Sequence, residues 1–215
     1  LSKEQSGTTI EAEGETKSKG SELNRSRHIV LLAMNQQGLN NIYKMISESY
    51  TDKYYYRKPR IDYALLNKYN NGVICLSACL GGVYAGCYWS KREEGEEAVL
   101  ECMREVTRRM VDILGDRWYG ELQWNNVPEQ HELNKYVIQM HKEFGIPLVS
   151  TADSHYPTPT AWKDRELYKR LGWLGRGKPE WLDMNLPTSV DEIDYELYPK
   201  NGDQVFESYL KYSEE

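Results

Sequence analysis

Residues 71–82, NGVICLSACLGG, decide how the rest of the chain is read. Val73 to Leu76 form a short apolar, partly β-branched run, the pattern of a buried strand. It stops at Ser77, Ala78, Cys79 and a glycine pair, so a polarizable thiol stands where a strand turns out toward solvent. The same design recurs at residues 147–156, PLVSTADSHY, where Leu148 and Val149 read as a strand and Asp153 and His155 follow its end. Between and around these stretches strands alternate with helices. HIVLLAMN, residues 28–35, is an apolar strand. QQGLNNIYKMISESY carries Leu39, Ile42, Tyr43, Ile46 and Tyr50 at helical spacing. A charged helix is expected from about Arg92 to Leu114, burying Val99, Cys102, Met103, Val106, Met110 and Leu114. RWYGELQ, residues 117–123, reads as a strand, and the helix after it starts at Pro128 and stops before Gly145. Four such alternations predict an α/β fold with parallel strands and crossover helices, either a barrel or an open sheet. Four strands are too few for a closed eight-stranded barrel of ~250 residues, so about half of one is expected.

Working groups of such folds gather at the carboxyl ends of strands. Cys79, Asp153 and His155 occupy that position, whereas His28 opens its strand. Either that strand runs against the others or His28 is no ligand. On an extended backbone residues two apart point the same way, so Asp153 and His155 could grip one metal ion or one substrate together. Asp, Ser and His are equally ordinary turn residues after a strand, and Cys79 could be a small buried residue at a tight turn.

The chain has 215 residues, 40% of them hydrophobic and 28% charged, enough for one ordinary core. No apolar run reaches bilayer length and no signal-peptide pattern is visible, so no membrane is expected as a partner. Cys75, Cys79, Cys87 and Cys102 lack zinc-finger or thioredoxin spacing, which predicts reduced thiols and a cytoplasmic location. A net charge of -6 argues against an autonomous nucleic-acid binder. Local contact is still conceivable at KYYYRKPR, residues 53–60, where Lys53, Arg57, Lys58 and Arg60 interleave with three tyrosines, the mixture single strands favour. The bland reading is a solvated loop. His131 and His141 are expected on a helix surface, and Glu121 and Gln123 could orient ligands from behind or reflect simple alternation. Residues 1–27 are poor in apolar side chains and are expected to form a disordered tail or loop. With no initiating Met, the chain reads as a piece of something larger.

Five blocks in order, HIVLLAMNQQGLNNIYKMIS, YYYRKPRID, GVICLSACLGG, GDRWYGELQWNNVPEQHELNKYV and GIPLVSTADSHY, resemble the later part of the polymerase-and-histidinol-phosphatase (PHP) domain of the bacterial DNA polymerase III alpha family, over roughly residues 28–170. The resemblance implies a distorted, TIM-like β/α barrel, of which residues 28–175 would be the second half and 176–215 the exit toward a downstream polymerase region. It implies a cluster of two or three metal ions, zinc or manganese, serving a metal-dependent phosphoesterase or 3'-5' exonuclease. The family pattern makes His28, Cys79, Asp153 and His155 metal ligands. Its earlier H-x-H strand and its downstream polymerase palm have no counterpart here, which implies that the missing N-terminal and downstream parts of a bacterial or phage polymerase are partners, and DNA through them. The parent would be a DNA-directed DNA polymerase, a nucleotidyltransferase acting in DNA replication. A non-catalytic module bracing the polymerase core and a free-standing PHP phosphatase are the alternatives.

Overall fold

The computed structural model describes residues 26–55, 58–174, 187–193 and 195–213. Residues 1–25 of the expected tail, Arg57, residue 175 of the expected partial domain, and residues 176–186, 194, 214 and 215 of the expected exit segment lie outside the described residues. The chain divides into two compact units, one running to Glu121 and adding Lys135–Val149, the other comprising Leu122–Asn134 and the residues from Ser150 onward.

The sheet consists of β1 (Val30–Ala33), β2 (Val73–Leu76), β3 (Trp118–Leu122) and β4 (Leu148–Ser150), in that spatial order. It is open and four-stranded, as expected of a partial β/α barrel. β2 and β3 are parallel, with Cys75 opposite Trp118. The expectation of parallel strands throughout fails at β1, which runs antiparallel to β2 with Val30 opposite Leu76 and Ala33 opposite Val73. Because Ala33 and Val73 face each other, the chain leaves and re-enters the sheet at one end. Residues 34–72, with α1 (Gln36–Ser49) and α2 (Tyr63–Lys68), therefore form an excursion that returns to its starting end. Two bonds fasten its ends, Met34 N to Gly72 O at 2.8 Å and Asn41 Nδ2 to Asn71 O at 2.8 Å, while the Asn35 side chain caps α1 by accepting from Gly38 N at 2.9 Å.

These same bonds select the buried face of α1. The helix stands where its apolar spacing predicts, yet it buries Gly38, Asn41, Met45 and Ser49, while Tyr43, Ile46 and Tyr50 are exposed. Gly38 explains the choice, since a Cβ there would lie 1.8 Å from Gly72 O. The helix approaches that turn more closely than any side chain permits.

The helix expected from about Arg92 to Leu114 starts at Glu96, and a further helix that was not expected stands before it. α3 (Val83–Lys91) and a short 3-10 turn (Arg92–Glu94) precede α4 (Glu96–Leu114). Gly95, at φ +104, supplies the left-handed conformation that separates them. α4 buries Val99, Leu100, Met103, Thr107, Met110 and Leu114, with Glu96 and Glu97 in its first turn, where the helix dipole favours negative charge. Cys102 and Val106, expected to be buried, are only half-buried. A buried relay joins helices to sheet: Trp118 Nε1 donates to Tyr84 Oη (2.9 Å), whose hydroxyl donates to Thr107 Oγ1 (2.7 Å), which donates to Met103 O (2.7 Å). Cys87 of α3 and Cys102 of α4 are joined by a disulfide, with Cα atoms 5.5 Å apart. The expectation of four reduced thiols thus holds only for Cys75 and Cys79. The unexpected α3 is the reason, because it folds back beside α4 and brings together two cysteines that share no sequence motif.

α5 (Pro128–Phe144) follows β3 and ends at Gly145, φ +68, whose N–H bonds His141 O at 2.8 Å. Its Val137 side chain and Leu148 of β4 close over Gly120, where a Cβ would lie 2.7 Å and 2.8 Å from them. In the second unit, α6 (Trp162–Leu174) and α7 (Gly202–Ser213) are the later helices. Its core gathers Tyr156, Trp162, Ile193 and Leu197.

Candidate metal centre

Because β1 is antiparallel to β2, its first residues arrive at the carboxyl end of β2. His28 bridges to Gly82, and its N–H bonds Gly81 O at 3.0 Å. The His28 ring lies against Gly81, where a Cβ would be 3.3 Å from Nδ1. The choice left open by the sequence is thereby settled for the backbone: the strand runs against its neighbour, and His28 stands beside the Cys79 turn. That turn is tightly built. Ala78 takes φ +62, Gly82 N donates to Cys79 O at 2.7 Å, and a Cβ on Gly82 would meet Ser77 O at 2.1 Å. Ser77 accepts Glu121 N through its hydroxyl at 2.9 Å, tying the turn to β3. Cys79 is half-buried and His28 exposed, so both can meet a ligand from solvent. Glu121 is buried at the end of β3. Cys75 is a different kind of thiol, since full burial pushes its pKa far up and keeps it protonated.

In the second unit, Asp153 and His155 are brought together by a turn and not by a pleat. Asp153 adopts φ +46, which replaces the extended geometry assumed from sequence. The His155 ring donates from Nδ1 to the Asp153 main-chain O and lies 3.9 Å from Asp153 Oδ1. With its proton on Nδ1, the neutral ring keeps the Nε2 lone pair for a ligand. Leu197 O holds the loop by accepting the N–H groups of His155 (2.7 Å) and Tyr156 (3.1 Å). Both side chains are close to half exposed.

Each unit therefore offers two donors of metal-binding chemistry. Among the described residues no three His, Cys, Asp or Glu side chains form a group able to hold a metal ion. A structural zinc takes four protein ligands and a catalytic one usually three. Each pair fits such an ion in chemistry but not in number.

Most of the described residues of the aromatic-basic stretch are exposed. Lys53 sits 4.7 Å over the Tyr54 ring, and its hydrogen bond to Tyr54 holds its pKa above the usual lysine value. Lys58 is exposed, whereas Arg60 is half-buried. His141 is exposed and donates from Nδ1 to Ile146 O at 2.7 Å, closing the end of α5. His131 departs from its expected surface role, being half-buried, stacked on Trp124 and bonded to Asn125 O at 2.8 Å.

The sequence reading missed two polar devices. Arg117 Nη1 donates to Val73 O at 2.9 Å and Nη2 to Asn70 Oδ1 at 3.0 Å, fixing the entry to β2. Beyond β3, Gln123, Asn125, Gln130 and Asn134 are all buried, with Gln130 Nε2 bonded to Asn134 Oδ1 (3.0 Å) and Asn134 Nδ2 to Gln123 O (2.8 Å). The amides at 130 and 134 share a helical face, and that spacing was the available signal.

Residues 6–125 match the PHP domain, more than half of the chain. The chain belongs to the PHP family. The matched PHP region contains His28, Cys79 and Glu121, while Asp153 and His155 lie beyond it. Among curated proteins, the DNA polymerase III subunit alpha of Aquifex aeolicus is 40% identical over 134 residues, covering 62% of this chain and 11% of the relative. The same subunit of Borreliella burgdorferi is 37% identical over 131 residues, covering 61% and 11%. That of Deinococcus radiodurans is 36% identical over 129 residues, covering 60% and 9%. The chain spans about a tenth of the length of these curated relatives. No helix among the described residues is long and apolar enough to cross a membrane.

Proposed function

We propose that this chain is the later part of the PHP-type domain of a bacterial or phage DNA polymerase III alpha subunit, acting in DNA replication inside the cytoplasm. It contributes His28, Cys79, Asp153 and His155 to a metal-dependent phosphoesterase or 3'-5' exonuclease centre. The observation that carries this reading is the antiparallel β1, which sets His28 beside the Cys79 turn at the carboxyl end of the sheet. Kinship with polymerase alpha subunits supplies the substrate class. The remaining ligands come from the upstream part of the parent polypeptide, and DNA is reached through the parent. Imidazole, thiolate and carboxylate together suit zinc or manganese, with the thiolate favouring zinc. A bound ion would acidify a water and neutralise phosphate charge. The chain's own task is to orient donors: the Asp153 carbonyl holds the His155 proton on Nδ1, and the Gly81–Gly82 backbone positions His28. Lys53, Arg57, Lys58 and Arg60 are the candidate contacts to single-stranded DNA.

Metal analysis tests this directly. The isolated chain should lack nuclease activity, and mixing with a polypeptide carrying the upstream PHP segment should recruit zinc or manganese and permit cleavage of single-stranded DNA. Cys79→Ser and His155→Ala should each lower metal content of the reconstituted pair. A pair that assembles yet holds neither metal would refute the reading. A bracing module without chemistry is the second reading, favoured by the absence of a three-donor group among the described residues. It predicts assembly without metal. A free-standing PHP phosphatase would instead hydrolyse small phosphate monoesters unaided.

A further inference from the structure

We propose that Cys87 and Cys102 form a redox modification site, closed by small-molecule disulfides and opened by thiols, that locks α3 onto α4. The inference rests on the fold alone and does not depend on the metal centre. A chain of 215 residues with an ordinary core does not require a covalent staple in the way small secreted domains do. α3 and α4 are already joined by the Tyr84–Thr107 hydrogen bond and make the most extensive contact between any two elements among the described residues. Opening the disulfide therefore loosens this contact without dismantling it.

The two sulfurs have unequal access. Cys102 is half-buried on α4, while Cys87 is 2% exposed. Cys102 is thus the entry thiol and Cys87 the resolving one. The Cys102 thiolate attacks one sulfur of a small disulfide such as oxidised glutathione and expels one glutathione thiolate, leaving a mixed disulfide. The Cys87 thiolate then attacks the Cys102 sulfur and expels the second. The two protein protons end on the two released thiols, so the small disulfide is reduced as the protein pair is oxidised.

What the lock controls follows from α3. Two residues beyond Cys87, Trp89 Nε1 donates to Leu80 O at 3.0 Å, inside the turn that carries Cys79. At the other end of the helix, Gly86 N bonds Gly82 O at 3.0 Å. Clamping Cys87 to α4 consequently steadies the Cys79 turn from both sides.

The test uses the whole chain, incubated with oxidised glutathione or with dithiothreitol, then alkylated and mapped by mass spectrometry. The oxidised protein should carry two fewer alkylated thiols and a cross-linked peptide pair containing residues 87 and 102. Dithiothreitol should restore both thiols, lower the thermal midpoint by about 5–10 °C and speed amide exchange at residues 80–82. Cys102→Ser should abolish the cross-link and the redox-dependent shift, Cys87→Ala should do the same, and Cys79→Ser should keep both. Four alkylated thiols after oxidation, glutathione retained on Cys102, or a cross-link with no change in midpoint or exchange would each overturn the proposal.

Discussion

Gly82→Ala is the sharpest test of how the Cys79 turn is built. Gly82 has an ordinary φ of -79, so an alanine would suffer no intrinsic backbone strain. Its methyl group would lie 2.1 Å from Ser77 O, 2.9 Å from Cys79 O and 3.2 Å from Ala78 Cβ. The first two are main-chain atoms and cannot rotate away, so the turn must open by roughly 1 Å to reach contact distance. Overpacking of this kind costs about 1–3 kcal/mol. Opening also sacrifices the Gly82 N to Cys79 O bond of 2.7 Å, about 1 kcal/mol more. Stiffening of the unfolded chain by alanine returns about 0.4–1 kcal/mol. The net loss is on the order of 2–3 kcal/mol, or about 5–10 °C in thermal midpoint. Urea denaturation followed by circular dichroism measures it, with an unchanged slope confirming comparison of like states. Gly172→Ala serves as the control, because nothing lies within 4 Å of a Cβ there and the exposed helix should gain ~0.5–1 kcal/mol. A Gly82→Ala protein as stable as its parent, or more so, would refute the close-packed turn.

Three further outcomes are expected. Tyr84→Phe leaves buried Trp118 Nε1 without its acceptor and should cost about 1–3 kcal/mol in denaturant unfolding, whereas a neutral result would dissolve the relay. Met45→Ala should cost ~2–5 kcal/mol and Ile46→Ser less than ~0.5 kcal/mol; the reverse ranking would mean that α1 buries its apolar face after all. Arg104, bonded to Glu143 at 2.7 Å and 3.0 Å, and then Gln139, hold the Glu143 carboxyl down from 4.5 to about 2. A depressed carboxyl stabilises the fold above its unfolded pKa and loses that contribution as pH falls through its folded one. Hence the gap in thermal midpoint between the parent and Arg104→Gln should be constant above pH 4.5 and shrink toward pH 2, and parallel curves would contradict the pairing.

The elements that follow from local chemistry were legible. β2, β3, α5 and β4 stand where apolar runs, Pro128 and Gly145 put them, because short buried strands and a capped helix write themselves into neighbouring residues. α1 shows the limit. Its spacing announced a helix correctly but does not carry its buried face, because that face is selected by the Gly72 turn, which Gly38 can approach and to whose neighbour Asn71 the Asn41 side chain bonds. Residues 34 apart in sequence made the choice, and no periodicity within residues 36–49 carries it. α3 escaped for a related reason, since residues 83–91 form a helix by packing on α4, a contact that their own spacing does not carry.

The candidate centre was legible as residue types and not as geometry. Cys79 and His155 follow from their strands, but the orientation of β1 decides whether His28 stands beside the Cys79 turn, and pairing direction is a property of the whole excursion from Ala33 to Val73. Asp153 makes the same point on a smaller scale. Period-two alternation predicted that it would share a side with His155, and the two do meet, through a left-handed residue and a ring-to-carbonyl bond that alternation does not contain. Each unit brings two donors together and, among the described residues, no group of three: the imidazole of His28 beside the Cys79 turn has the donor chemistry of a metal site and falls short of it in coordination number alone.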